Sequence, residues 1–145
     1  MAEFQAPSPV EAAFNKFMGF LVGLGIGPSF IYQLQVRGRK SGKIFTTPVN
    51  LMEFGGRQVL VAPRGRTQWV RNAEAGGEIV LKRGRTVQSF RLRPIPDGEK
   101  PPLLKLYLER FATTVQRYFP IQAGAPLESF RDLAQVYPVF ELFSR

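Results

Sequence analysis

From Ile31 onward the chain alternates. "IYQLQVR" (31–37) puts Tyr32, Leu34 and Val36 on one side and Gln33, Gln35 and Arg37 on the other, the two-residue period of a half-buried strand. "RQVLVA" (57–62) has the same rhythm, and "IFTTPVNLMEF" (44–54) is rich in β-formers. "GRKSGK" joins the first two of these segments and "GGR" leads into the third, which predicts an antiparallel meander. "EIVLKRG" and "TVQSFRLRP" predict a further hairpin across "RGR". Five or more short antiparallel strands around a modest core suggest a barrel, because closure removes exposed edges.

Helical spacing flanks and interrupts the strands. Val10, Phe14, Phe17, Met18 and Leu21 predict an amphipathic helix that starts after "PSP" and ends at "GLGIGP". "TQWVRNAEAGG" (67–77) predicts a short helix with Thr67 as its cap and a Gly pair as its stop. Beyond the breaker-rich "PIPDGEKPP", Leu103, Leu104, Tyr107, Leu108 and Phe111 share one helical face, and "LESFRDLAQV" predicts another short helix. The final "YPVFELF" is too apolar for a loose end and is expected to dock on the barrel. The fold class is α+β, mainly β, in a single domain of 145 residues: an N-terminal helix and loop (1–30), a barrel core (31–95) and a helical C-terminal part with a docking tail (96–145).

Composition narrows the chemistry. The chain has no Cys and no His, which excludes disulfides, thiolate metal sites, cysteine nucleophiles and the commonest general base. Chemistry must come from a bound cofactor or from carboxylates, lysines and tyrosines, and no metal site is expected. Phe17–Val36 is uncharged, but its glycines, Pro28 and two glutamines break it up, so it reads as helix, loop and strand rather than a membrane span. The start "MAEF" has no basic region and no small-residue cleavage site follows it, so the expected location is cytoplasmic, with any membrane association limited to peripheral contact through the first helix.

The net charge of +9 is concentrated. Between Arg37 and Arg93, 13 basic residues face 3 acidic ones, an excess of +10, while the segments before and after carry −1 and zero. That pattern fits a polyanion-binding surface. Within it, "GRKSG" offers freed backbone N–H groups together with the side chains of Arg39, Lys40 and Ser41, the donor types of a phosphate or carboxylate cradle. It lacks the spacing of a Walker loop, and a solvated hairpin tip is an equally good reading of those residues alone. "VAPRGRTQWVRN" (61–72) is a second cluster, whose helix start suits an anionic group or a polarised carbonyl. Trp69 reads first as packing, and Asn72 as a cap or a ligand donor.

The order "GRKSGK–x–x–TTPV…LVAP–x–G…WVRN–x–x–AGG…L–x–RGR…YPVFEL" resembles the deazaflavin-dependent nitroreductase family, also called the deazaflavin-dependent quinone reductases. The resemblance covers about Gln35 to Gly84 and, more loosely, the terminal segment. It implies a split β-barrel that uses coenzyme F420 to reduce an electron-poor acceptor such as a quinone, enone or nitro compound. It implies that Arg39, Lys40, Ser41, Gly42, Lys43 and Ile44 hold the coenzyme's phosphate and acidic tail. It further implies that Pro48, Val49, Ala62, Pro63 and Arg64 line the deazaflavin ring, with Trp69 and Asn72 shaping the same pocket. The hydride comes from the cofactor, so no catalytic side chain is assigned; the protein's task is orientation and water exclusion.

Two positions depart from the family pattern. Phe45 stands where many relatives carry a basic residue, and Arg64 and Arg66 are less usual in their loop. Tyr107, Tyr118 and Tyr137 are substrate-side candidates without a motif to anchor them. The runner-up is a non-catalytic binder or carrier of F420, FMN or a fatty acid on the same barrel, and an FMN enzyme is a further variant. No nucleic-acid partner is expected, because the middle segment has few aromatics at alternating strand positions to stack bases. The expected partners are a small-molecule acceptor and, since split barrels often pair, a second copy of the chain.

Overall fold

The alternation over residues 31–37 folds as β1 (Ile31–Arg37), which buries Leu34 and Val36 and leaves Arg37 exposed. The computed structural model describes residues 28–145. The amphipathic helix expected before Gly23 and its proposed membrane contact lie outside those residues. After β1 come β2 (Ile44–Asn50), β3 (Met52–Phe54), β4 (Arg57–Val61), α1 (Gln68–Gly76), β5 (Glu78–Arg83) and β6 (Thr86–Pro94). A 3-10 turn at Asp97–Glu99 leads into α2 (Lys100–Val115), followed by the short α3 (Leu127–Arg131) and β7 (Val139–Ser144). No described helix is long and apolar enough to cross a membrane.

The seven strands of the described residues join one antiparallel sheet in the order β2-β1-β5-β6-β7-β4-β3. The hairpins β1–β2, β3–β4 and β5–β6 form where the turns predict them. They do not run on as a meander: β1–β2 and β3–β4 lie at opposite ends of the order, with β5, β6 and β7 between them. Yet β2 and β3 are separated in sequence by Leu51 alone. One residue spans only about 3.5 Å, so the sheet has to curl until its two edges meet. The result is a curled half-barrel, and the Leu51 N–H donates to the Phe30 carbonyl at 2.8 Å at the bend.

Curling gives the sheet an inside and an outside. Leu34, Val36, Leu51, Leu60, Ile79, Leu81, Phe90 and Leu142 fill the inside. On β4, the flanking Val59 and Val61 point the other way and pack with Val139 and Ile95 against Leu103, Leu104, Tyr107, Leu108 and Phe111 of α2. The C-terminal segment expected to dock on the barrel is part of it: β7 pairs with both β6 and β4. Residues 31–95 therefore do not complete the sheet without the chain's last residues.

Glu141 on β7 ties this seam together. Its Oε1 accepts from Arg57 Nη2 at 3.0 Å and from Arg93 Nη2 at 2.9 Å, and its Oε2 accepts from Arg57 Nε at 3.1 Å. The hydrogen bonds from Arg57, and then from Arg93, hold the carboxyl below its ordinary value of 4.5 against the opposing effect of burial. A carboxyl lowered on folding stabilises the fold above its unfolded value and loses that contribution as pH falls through its folded value. Glu141→Gln should thus lower the unfolding free energy by about 2 kcal/mol at pH 7, since breaking a part-buried pair strands two guanidinium groups. Denaturant melts across pH should show the difference from wild type shrinking below pH 4.5; a constant difference would remove the ionic explanation.

Candidate functional site

The β1–β2 turn is built by its own backbone. Gly38 N–H donates to the Lys43 carbonyl at 2.7 Å, and Gly42 N–H donates to the Gly38 carbonyl at 3.0 Å. Gly42 has φ +76°, a conformation that a side chain disfavours. The Arg37 guanidinium donates to the Gly42 carbonyl at 2.9 Å, and Lys43 N–H donates to Ser41 Oγ at 3.2 Å. Gly38 serves a different need: a Cβ there would stand 2.6 Å from the Phe45 ring.

Helix α1 lies beside this turn. It starts at Gln68 after Thr67 and ends where Gly77, at φ 72°, donates to the Ala73 carbonyl at 2.7 Å. Gln68 and Asn72 are four residues apart and share a face. Asn72 Oδ1 accepts both the Arg39 backbone N–H at 3.0 Å and Arg39 Nη1 at 2.8 Å, while Gln68 Oε1 accepts from Nη1 at 3.0 Å. Asn72 is 5% exposed. It acts here as a brace for Arg39, with its carbonyl oxygen already committed.

Turn and helix border an open pocket of about 250 Å³ lined by Gly38, Arg39, Lys40, Ser41, Phe45, Gln68 and Asn72. No carboxylate among the described residues pairs with Arg37, Arg39, Lys40 or Lys43. Other cations do have such partners, as Arg57 and Arg93 have in Glu141 and Arg66 has in Glu74 at 2.6 Å. Four cations on one turn repel one another unless something anionic sits among them.

The remaining candidates are spread wider. Ile44 borders a separate depression of about 160 Å³ on the sheet's outer face, with Gln35, Arg37 and Val80. Pro48 faces outward opposite Gln33, while Val49 packs against the inner core. Ala62 is buried and its N–H donates to the Pro138 carbonyl at 2.8 Å. Pro63 is half-buried, and the Arg64 guanidinium sits 5.6 Å from the centre of the Tyr118 ring. Trp69 packs at 6.0 Å on Phe140, the packing role read first from sequence.

The three tyrosines separate by burial. Tyr107 is 2% exposed, and burial pushes its hydroxyl's pKa up. Tyr137 is also a core residue, pushed up to about 12 by burial, and its hydroxyl donates to the Tyr118 carbonyl at 2.5 Å. Only Tyr118 is half-exposed, with its hydroxyl accepting from Arg117. Sequence reasoning did not pick out Gln68 as part of the pocket. Its four-residue spacing from Asn72 was the available signal.

The donor set suits an anionic cofactor. The guanidinium of Arg39, the ammonium of Lys40 and the hydroxyl of Ser41 line one pocket.

Comparison with known proteins gives the same direction. The model of a family described as F420H(2)-dependent quinone reductase matches residues 12–122. Among solved structures, Atu2129 from Agrobacterium tumefaciens, whose function is given as unknown, is 19% identical with a TM-score of 0.60; the match covers 96% of this chain and 59% of that one. A structure named F420-H2 dependent reductase (FDR-A) is 21% identical with a TM-score of 0.52, covering 79% of this chain and 95% of its own. A third, described as a domain-swapped dimer, is 19% identical with a TM-score of 0.56, covering 94% of this chain and all of the other. No curated protein matches the sequence. At these identities the solved structures establish the split-barrel fold.

Removing the brace gives a direct check on the turn. Asn72→Ala leaves the Arg39 N–H without its acceptor and should cost about 1–2 kcal/mol of unfolding free energy. Amide exchange should quicken at Arg39 beyond that global loss; unchanged protection there would mean that Asn72 does not hold the turn.

Proposed function

The chain belongs to the F420H2-dependent quinone reductase family, and on that premise we propose that it binds coenzyme F420 at the β1–β2 turn and reduces an electron-poor small molecule. The observation that carries the reading is the turn itself, where Arg39 and Lys40, two cations without carboxylate partners among the described residues, line a pocket braced by α1.

Arg39, Lys40, Ser41, Gly42 and Lys43 would hold the coenzyme's phosphate and acidic tail, the side chains through charge-assisted hydrogen bonds and the backbone through the N–H groups of Lys40 and Ser41. The N–H groups of Arg39, Gly42 and Lys43 already donate within the protein. Ile44 is better suited to the outer rim than to the pocket. Pro48, Val49, Ala62, Pro63 and Arg64 would bound the ring, with Trp69 and Asn72 fixing the helix beside it. When bound, the reduced deazaflavin supplies a hydride. The chain's own contribution is to orient that ring against the acceptor and to keep water from the space between them.

Quinones, enones and nitro compounds are the acceptor classes such a hydride suits. Of the three tyrosines, Tyr118 is the one exposed enough to meet an acceptor. Association into homodimers belongs to the same proposal, supported by the domain-swapped dimer among the structural relatives. A cytoplasmic setting fits a reductase whose described helices cannot span a membrane.

Fluorescence titration with oxidised F420, run beside FMN, tests the cofactor, and consumption of reduced F420 on adding a soluble quinone tests turnover. Saturable F420 binding with turnover is expected. Binding without turnover against any acceptor class would point to the carrier reading, and binding of FMN alone would point to a flavin protein. Arg39→Ala with Lys40→Ala should weaken F420 about 10-fold, with circular dichroism unchanged and the salt dependence of binding reduced. Unchanged affinity in that double variant would remove the cradle from the site.

A further inference from the structure

Phe45 is out of character with its surroundings. The walls of the pocket at the β1–β2 turn are otherwise donors and acceptors: Arg39, Lys40, Ser41, Gln68 and Asn72. Phe45 sits opposite Val36 in the ladder, so its ring turns toward the sheet's inner side at the mouth of the barrel. One edge of that ring lies against Gly38, so close that a Cβ on Gly38 would stand 2.6 Å from it. The rest is open, leaving Phe45 50% exposed. It stacks on no other ring of the described residues.

A phenyl ring held against backbone and left half in water carries an unrealised hydrophobic gain. A bare anion would engage the cations and leave the ring wet. A ligand with a flat apolar group beside its anion would cover the ring and engage the cations together. We infer that Phe45 is a specificity-determining residue of this pocket, selecting anions that carry an adjacent flat or aromatic group over anions that do not. The inference rests on the proposed reading of the site as an anion pocket and adds which anions it prefers. Phe45 contributes contact area and no charge, so its effect separates from that of Arg39 and Lys40.

The test is a titration of wild type and Phe45→Ala with coenzyme F420, FMN and inorganic pyrophosphate, each read directly by calorimetry. Phe45 is half-exposed, so the variant should keep its melting temperature within a few degrees. Its affinity for F420 should fall about 5- to 10-fold, and that for pyrophosphate should change by less than about twofold. Phe45→Leu, which keeps part of the apolar area, should lie between. An equal loss for both ligands, or no loss for either, would overturn the inference while leaving the cradle in place. Should wild type bind FMN with this Phe45 dependence and not F420, the inference stands and the F420 assignment fails. Binding of pyrophosphate but of neither ring-bearing ligand would overturn both.

Discussion

A single residue, Leu51, sets the shape of this protein. It links β2 to β3, and those strands lie at the two edges of a seven-stranded sheet. An open sheet of that order would hold its edges several strand spacings apart, at about 4.8 Å each. The chain can connect them through one residue only if the sheet rolls up. Closure in turn creates an enclosed inner face, filled by one side of each alternating strand, and leaves the outer face of β4 and β7 for α2 to cover.

The pocket depends on the pairing of β1 with β5. Helix α1 leads directly into β5, so that pairing sets it beside the turn after β1, although Arg39 is 33 residues from Asn72. Hydrogen bonds to Asn72 and Gln68 then fix Arg39 by its backbone and its side chain at once. A flexible arginine on a hairpin tip would lose much of its binding energy to the ordering of its own side chain. Here that ordering occurs on folding, so the turn meets a ligand already shaped.

Much of this was legible in the sequence, and the boundary is instructive. The strand over 31–37, the turns at Gly38, Gly55 and Gly84, and the α1 stop at Gly77 are local events set by alternation and by glycine. Sheet order is non-local, which is why a meander was expected where the edges are instead joined. The same limit hid β7: "YPVFELF" announces burial, but an apolar run does not say which strands it will sit between. At the site, the cations and Asn72 stood out by type and spacing, whereas Gln68 and the tyrosines depended on which face of the fold they reached. Tyr107 lies on a helix and Tyr137 just before β7, and only packing reveals that they are core.

The charge excess of the middle segment, uniform in a sequence count, is partly matched by carboxylates in the fold. Arg57 and Arg93 converge on Glu141, and Arg66 meets Glu74, so these cations hold the sheet seam and the helix end. Arg37, Arg39, Lys40 and Lys43 have no such partner and crowd a single turn. Lys82, Arg85 and Arg91 on the β5–β6 hairpin also lack a carboxylate partner among the described residues. At the β1–β2 turn, however, Arg39 and Lys40 line a pocket of about 250 Å³ with one phenyl wall, which suits a compact anion with something apolar attached. The arrangement argues for a small amphiphilic cofactor on physical grounds that owe nothing to the family match.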